Sequence, residues 1–286
     1  MMLPTEMGVQ DLRREYPEWT PWLAVVEEVL TESANSKWDS FVPERALAHE
    51  QRTPLLAGMK LKLDRRELRR WTQRLISTAC QSGAPKMSTL KAAKDARIEA
   101  ASLFEASLCQ DEPRLRQTGS DLGVDPDAFQ AVAGFIALPF LQACGRRWMR
   151  VGGEAWSEGY CPICGAWPAF AETRGIERSR SLRCGRCGGD WRAHRLICPY
   201  CGMNDHDRLL SLVPESNDAT RTIEACKRCL GYLKSFTTLQ GSPPAKVIVV
   251  DLSSVDLDVA ACEQGYRRPQ GPGYPLQATV SDNGST

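Results

Sequence analysis

Four Cys-x-x-Cys pairs, Cys161/Cys164, Cys184/Cys187, Cys198/Cys201 and Cys226/Cys229, crowd into the second half of this 286-residue chain. One such pair is ambiguous, since redox motifs, haem attachment and chance all produce it. Four in succession supply the ligands for two tetrahedral four-sulfur metal sites. Two intervening residues let the backbone fold over a metal with its N–H groups aimed at the thiolates, and a trailing glycine takes the left-handed conformation that closes the turn. Cys161-Pro162-Ile163-Cys164-Gly165 and Cys198-Pro199-Tyr200-Cys201-Gly202 share that form, and Cys184-Gly185-Arg186-Cys187-Gly188 keeps the glycine. Cys226-Lys227-Arg228-Cys229 instead has Leu230 before Gly231, a departure that predicts a looser turn.

Sequential pairing of the knuckles leaves gaps of 19 and 24 residues, nested pairing gaps of 10 and 61. At (3/2)RT ln n per loop the two schemes differ by only ~0.3 kcal/mol, so entropy does not choose. Motif order does: Pro-containing knuckle, plain knuckle, Pro-containing knuckle, plain knuckle is an internal repeat. It predicts Cys161, Cys164, Cys184 and Cys187 on one metal, and Cys198, Cys201, Cys226 and Cys229 on the other. Units of roughly 40 residues sit near the size below which an apolar core rarely suffices, and a structural zinc worth roughly 10–16 kcal/mol offsets that shortfall. Four thiolates suit zinc and iron alike. The spacing leaves open whether the metals only hold the fold or also take part in redox or ligand exchange.

No secretory signal is evident, which predicts a reducing, cytoplasmic setting and metal ligation rather than disulfides. Arg13-Arg14 is followed by Glu15, Tyr16, Pro17 and Glu18 instead of an apolar run, which argues against an export signal. The longest apolar stretch, Ala131 to Leu141, is too short for a bilayer. With 36 basic and 35 acidic residues, the chain has no global attraction for nucleic acid or anionic lipid.

Residues 8 to 150 read as helical. Thr20-Pro21 opens one helix, Asp64-Arg65-Arg66-Glu67 resembles a capping box with Gly83 beyond the helix end, and another helix is expected from Ser88 to Cys109. Asp125-Pro126 opens the most apolar helix, to Cys144, with a kink expected at Pro139. From Trp156 short strands alternate with knuckles, at Ala169–Thr173, Leu182–Cys184, Trp191–Arg195, Leu209–Val213, Arg221–Glu224 and Tyr232–Thr237. Lys246–Leu252 reads as a buried strand, and the Gly/Pro-rich stretch from Glu263 as a mobile tail. Cys80, Cys109 and Cys144 read as small buried hydrophobes, and His49, His194 and His206 are too scattered for a metal motif.

Seven arginines lie between residues 174 and 195. They read as a solvated loop or a surface for an acidic partner, with Arg178, Arg180, Arg183 and Arg186 as candidate contacts. The alternative is a nucleic-acid-binding zinc ribbon that uses this segment. Asp251, Asp256 and Asp258 read as turn residues. No convergent nucleophile, general base or phosphate loop stands out, so the chain reads as a non-enzyme. A dithiol redox enzyme would need a free Cys-x-x-Cys, and here all eight thiolates go to metal.

Gly159-Tyr160-Cys161-Pro162-Ile163-Cys164-Gly165, Leu182-Arg183-Cys184 with Trp191 and Arg195, Cys198-Pro199-Tyr200-Cys201-Gly202, Cys226-Lys227-Arg228-Cys229 with Tyr232-Leu233-Lys234, Asp251-Leu252 and Asp256-Leu257-Asp258 together resemble the formate dehydrogenase accessory proteins called FdhE. The resemblance covers residues 156 to 260 in order and spacing, and the helical half in length and character only. It implies a multidomain α+β fold: an all-α domain over 1–155, two small rubredoxin-like, zinc-ribbon-like β domains over 156–196 and 197–262, and a flexible tail over 263–286. It also implies a cytoplasmic, non-catalytic maturation factor holding two four-cysteine iron or zinc ions. Its implied partner is the catalytic subunit of a respiratory formate dehydrogenase before export.

Overall fold

Asp64 and Asp125 each cap a helix as their positions predict. Asp64 accepts from the N–H groups of Arg66 and Glu67, and Asp125 from those of Asp127 and Ala128. The computed structural model describes residues 7–44, 52–95, 98–148, 156–213 and 220–282. The sequence-based boundary at 155/156 and His49 lie outside or at the edge of these. The described residues form two units, one from 8–44, 56–143 and 275–282, the other from residue 7, 52–55, 144–148 and 156–274.

The first unit holds α1 (Val9–Glu15), α2 (Thr20–Ser33), α3 (Arg65–Gln81), α4 (Pro85–Ser88), α5 (Lys91–Asp95), α6 (Ala100–Cys109), α7 (Glu112–Asp121), α8 (Pro126–Ala133) and the start of α9 (Leu138–Trp148). Trp38, Trp71, Phe104, Phe129 and Phe140 are fully buried in it, and the Trp71 indole N–H donates to the Ile136 carbonyl at 2.9 Å. Glu32 is buried too. Burial alone would raise its pKa, but donors from Lys37, Trp38 and Arg74 outweigh that and hold it below the ordinary carboxylate value.

Three expectations for this unit change. In place of a single helix from Ser88 to Cys109 there are α5 and α6, preceded by α4, at whose end the Ser88 and Thr89 hydroxyls bond back to the carbonyls of Pro85 and Lys86. Pro139 does not kink a helix but lies in the first turn of α9, where its missing N–H costs nothing. Lys60-Leu61-Lys62-Leu63 forms a strand, β1 (Lys60–Leu63), paired in parallel with β8 (Thr279–Asp282). Its alternating burial is the period-two pattern expected only further along the chain. The stretch Pro126–Trp148 is long and apolar enough for a bilayer, unlike Ala131–Leu141 alone, and 72% of its most apolar window is buried inside the protein, as in a core helix.

The second unit is built on β2 (Phe170–Arg174), β3 (Ser179–Arg183), β4 (Asp190–Arg192), β5 (Leu209–Leu212), β6 (Arg221–Cys226) and β7 (Tyr232–Thr238). They form one sheet in the order β4-β3-β2-β7-β6-β5. Each half is an antiparallel three-stranded ribbon, and the two ribbons are joined edge to edge by the parallel β2–β7 pair, Phe170 opposite Lys234, within one unit.

Lys246–Leu252 is not a strand. Val247–Leu252 is a helix, α10, followed by α11 (Val255–Glu263), and together they cover one sheet face. Val247, Val250, Leu257 and Ala261 pack there on Phe170, Ile223, Tyr232 and Phe236. A short apolar run does not by its period separate a buried strand from a buried helix. Nor is the stretch from 263 to 282 a loose tail. Tyr266 packs on that core, Arg267 bridges to Gly231, and the Tyr274 N–H donates to the Gly165 carbonyl at 2.9 Å. Side chains anchor what Gly and Pro content alone suggests is mobile; residues 283–286 lie outside those described.

Candidate metal centres

All four knuckles close with the same two backbone bonds. In each, the first cysteine's carbonyl accepts from the N–H four residues on: Gly165 to Cys161, Gly188 to Cys184, Gly202 to Cys198 and Leu230 to Cys226, at 2.9–3.0 Å. Each first cysteine also donates its own N–H to the carbonyl five residues on, in Ala166, Gly189, Met203 and Gly231. The residue after the second cysteine must then be left-handed, and φ is +69° at Gly165, +72° at Gly188, +69° at Gly202 and +56° at Leu230. The first three are glycines, for which this costs nothing, whereas Leu230 brings its Cβ against the following carbonyl.

The knuckles pair sequentially. Cys161, Cys164, Cys184 and Cys187 form one cluster, and Cys198, Cys201, Cys226 and Cys229 the other, with all four sulfurs of each within 4.8 Å of one another. Cys161 lies 3.5 Å from Cys187 and Cys164 3.5 Å from Cys184, while Cys198–Cys229 and Cys201–Cys226 are both 3.7 Å. A tetrahedron with ~2.3 Å zinc–sulfur bonds has edges of about 3.8 Å, so the donor sets fit such an ion, and iron in the same geometry. Backbone N–H groups face the sulfurs. Ile163 donates to Cys161, and Arg186 and Cys187 to Cys184, at 3.4 Å. Tyr200 and Cys201 do the same for Cys198, and Arg228 and Cys229 for Cys226.

Four buried thiols this close cannot all ionise by themselves. Burial pushes the Cys161 thiol well up, and its sulfur neighbours push Cys187 up as well. Burial works against the Cys184 thiolate, but donors from Cys161, Cys164 and Cys187 outweigh it and hold that group well below the ordinary thiol value. A thiophilic cation is what would let the whole set deprotonate together.

The surroundings of the clusters differ. All four sulfurs of the first are buried. Three other segments wrap it: Leu55 donates to the Pro162 carbonyl, Tyr274 lies on Gly165, and a Cβ placed on Gly145 would come within 1.9 Å of the Cys187 carbonyl oxygen. In the second cluster Cys198 and Cys226 are buried, Cys201 half-buried and Cys229 exposed. Cys144 is buried outside the clusters, where burial raises its thiol well above the usual value; Cys80 and Cys109 are half-buried, and Cys262 is exposed on α11.

The arginine segment is only in part the open basic surface that its composition suggests: Arg192 and Arg195 are exposed, but others are not. Arg180 is buried and bonds Glu224 at 2.6 Å, and buried Arg183 pairs with Glu172 at 3.2 Å. Arg174 spans Glu172 and Asp190. Charges inside a sheet need partners, and these arginines have them. Arg178 is exposed and Arg186 half-buried. The three aspartates are not turn residues either. Asp256 and Asp258 lie in α11, Arg221 holds Asp256 at 2.6 Å, and fully buried Lys234 reaches Asp251 at 2.7 Å and Asp258 at 2.8 Å. Arg268 joins both of those carboxylates. A lysine inside the strand Tyr232–Thr238 was the one sequence signal for this cluster.

No protein-family model matches the chain. It is 35% identical over 116 residues to the FdhE homolog of Aquifex aeolicus, 34% over 119 to that of Stutzerimonas stutzeri, and 31% over 114 to Escherichia coli FdhE. Over those stretches the chain is similar to the FdhE proteins. The matches take in 38–41% of this chain and 35–40% of each FdhE relative. The crystal structure of the FdhE protein from Pseudomonas aeruginosa shares its fold, with a TM-score of 0.58 at 22% identity over 94% of this chain and 93% of that one.

Proposed function

We propose that this chain is a cytoplasmic, non-catalytic accessory protein in formate dehydrogenase maturation, holding two four-thiolate metal ions and binding the enzyme's catalytic subunit before export. Similarity to the FdhE proteins is the observation that carries this reading. The paired clusters support the metal half of it, with Cys161, Cys164, Cys184 and Cys187 as ligands of one ion, and Cys198, Cys201, Cys226 and Cys229 of the other. When bound, each ion cross-links two knuckles; the protein's own part is to fix eight sulfurs and aim backbone N–H groups at them. The nucleic-acid alternative loses ground, because Arg174, Arg180 and Arg183 spend their charge on carboxylates inside the sheet.

The test is affinity capture of the tagged protein from its own cells under conditions that induce formate dehydrogenase, with a Cys161→Ser control. Enrichment of the catalytic subunit, lost in the control, is the expected result. Recovery of nucleic acid, or of no oxidoreductase subunit, would refute the role.

A further inference from the structure

The two clusters share ligands, knuckle bonds and sulfur spacing, so their differences are differences of setting. Every sulfur of the first is buried, and the segments around Leu55, Gly145 and Tyr274 close over it. At the second, Cys229 is exposed, and the residue after it is the only non-glycine at that position of the four knuckles. Leu230 holds a left-handed backbone, and its side chain, 54% accessible, lies in solvent. Burial therefore does not compensate it for the strained conformation. Beyond its own two backbone bonds, this knuckle is fastened by the Arg267 N–H, which donates to the Leu230 carbonyl at 2.8 Å, by the Lys227 N–H, which donates to the Arg208 carbonyl at 2.9 Å, and by Tyr200, which packs on Gly231.

We infer that the second cluster is a ligand-exchange site, at which Cys229 yields its coordination position to an incoming thiolate while the first cluster keeps its ion. The bond between metal and Cys229 sulfur breaks as the bond to the incoming sulfur forms. The released Cys229 thiolate takes the proton that the incoming thiol gives up, so the charge of the site is unchanged and no oxidant or reductant is needed. With the ligand gone, Leu230 relaxes out of the left-handed region, which favours opening at this knuckle over the three closed by glycine. Local openings of this kind are drawn from the least buried parts of a fold. The inference rests on reading the clusters as metal sites and not on the identity of the client.

The full-length protein is loaded with zinc and challenged with an excess of a colorimetric chelator, then with glutathione and with a cysteine-bearing peptide. Two ions leaving in two well-separated phases, one ion in each, is the expected result. Cys229→Ser removes the fast phase and keeps the slow one. Leu230→Gly, which leaves every ligand in place, slows the fast phase by about fivefold, the rate equivalent of relieving one left-handed L-residue. Cys229 is also the first cysteine alkylated by a maleimide in the loaded protein, read by peptide mass mapping. Acceleration of the fast phase by glutathione marks a small thiol as the incoming ligand, and acceleration only by the peptide marks a protein thiol. Both ions leaving in one phase, or a fast phase indifferent to Leu230→Gly, would overturn the exchange role. Uptake of fewer than two ions would remove the metal reading itself, whatever the client-capture experiment gives.

Discussion

The two four-cysteine clusters are near copies in bonding and unlike in burial. The first has four buried sulfurs and three foreign segments around it, whereas the second ends on exposed Cys229 and a leucine at a glycine's place. The lesson is that a ligand set specifies which metals fit, while the packing outside it decides how firmly one is kept.

The largest expected contrast comes from removing one ligand on each side. Cys161→Ser should cost on the order of 10 kcal/mol of metal-linked folding free energy and lose the first ribbon, where Cys229→Ser loses one ion and leaves the first ribbon folded. Metal content and thermal melting of both variants measure this, and equal damage would break the comparison. Next comes Lys234→Met, which leaves Asp251 with Arg268, and Asp258 with Arg268 and the Tyr232 hydroxyl. A loss of roughly 3–5 kcal/mol in denaturant midpoints is expected, as for other half-removed buried ion pairs.

A smaller effect, confined to the first cluster, is expected from Gly145→Ala. Its Cβ must displace the Cys187 carbonyl, at roughly 1–3 kcal/mol, and chelator release from the first cluster should quicken while the second is unchanged. The gentlest probe is acid. Burial would raise Asp251, but Lys234 and Arg268 outweigh it and lower its pKa. Its folded value lies below its unfolded value, so its contribution is complete above about pH 4 and drains as pH falls through the lowered folded value. Urea midpoints at descending pH should show that drift, and Asp251→Asn should flatten it.

Much of this was legible in the sequence, because knuckles and strands carry local signals. The Cys-x-x-Cys repeat gave both four-cysteine clusters and their pairing, and the six strands of the large sheet lie within about three residues of where turn residues bracket them. What stayed hidden was non-local. Val247 to Val250 reads equally as strand or helix until Phe170 and Phe236 appear beneath it. Arg180 and Arg183 look like surface charges until Glu224 and Glu172 arrive from other strands. The anchoring of Tyr266, Arg268 and Tyr274 has no signature in a stretch rich in glycine and proline.

The parallel pairing of β2 with β7 also sets an order of events during synthesis. The first ribbon emerges from the ribosome with both its knuckles complete, but the edge of β2 stays unpaired until the last strand of the second ribbon has cleared the exit tunnel. For that interval a newborn chain offers an open strand edge, the kind of surface on which neighbouring nascent chains aggregate.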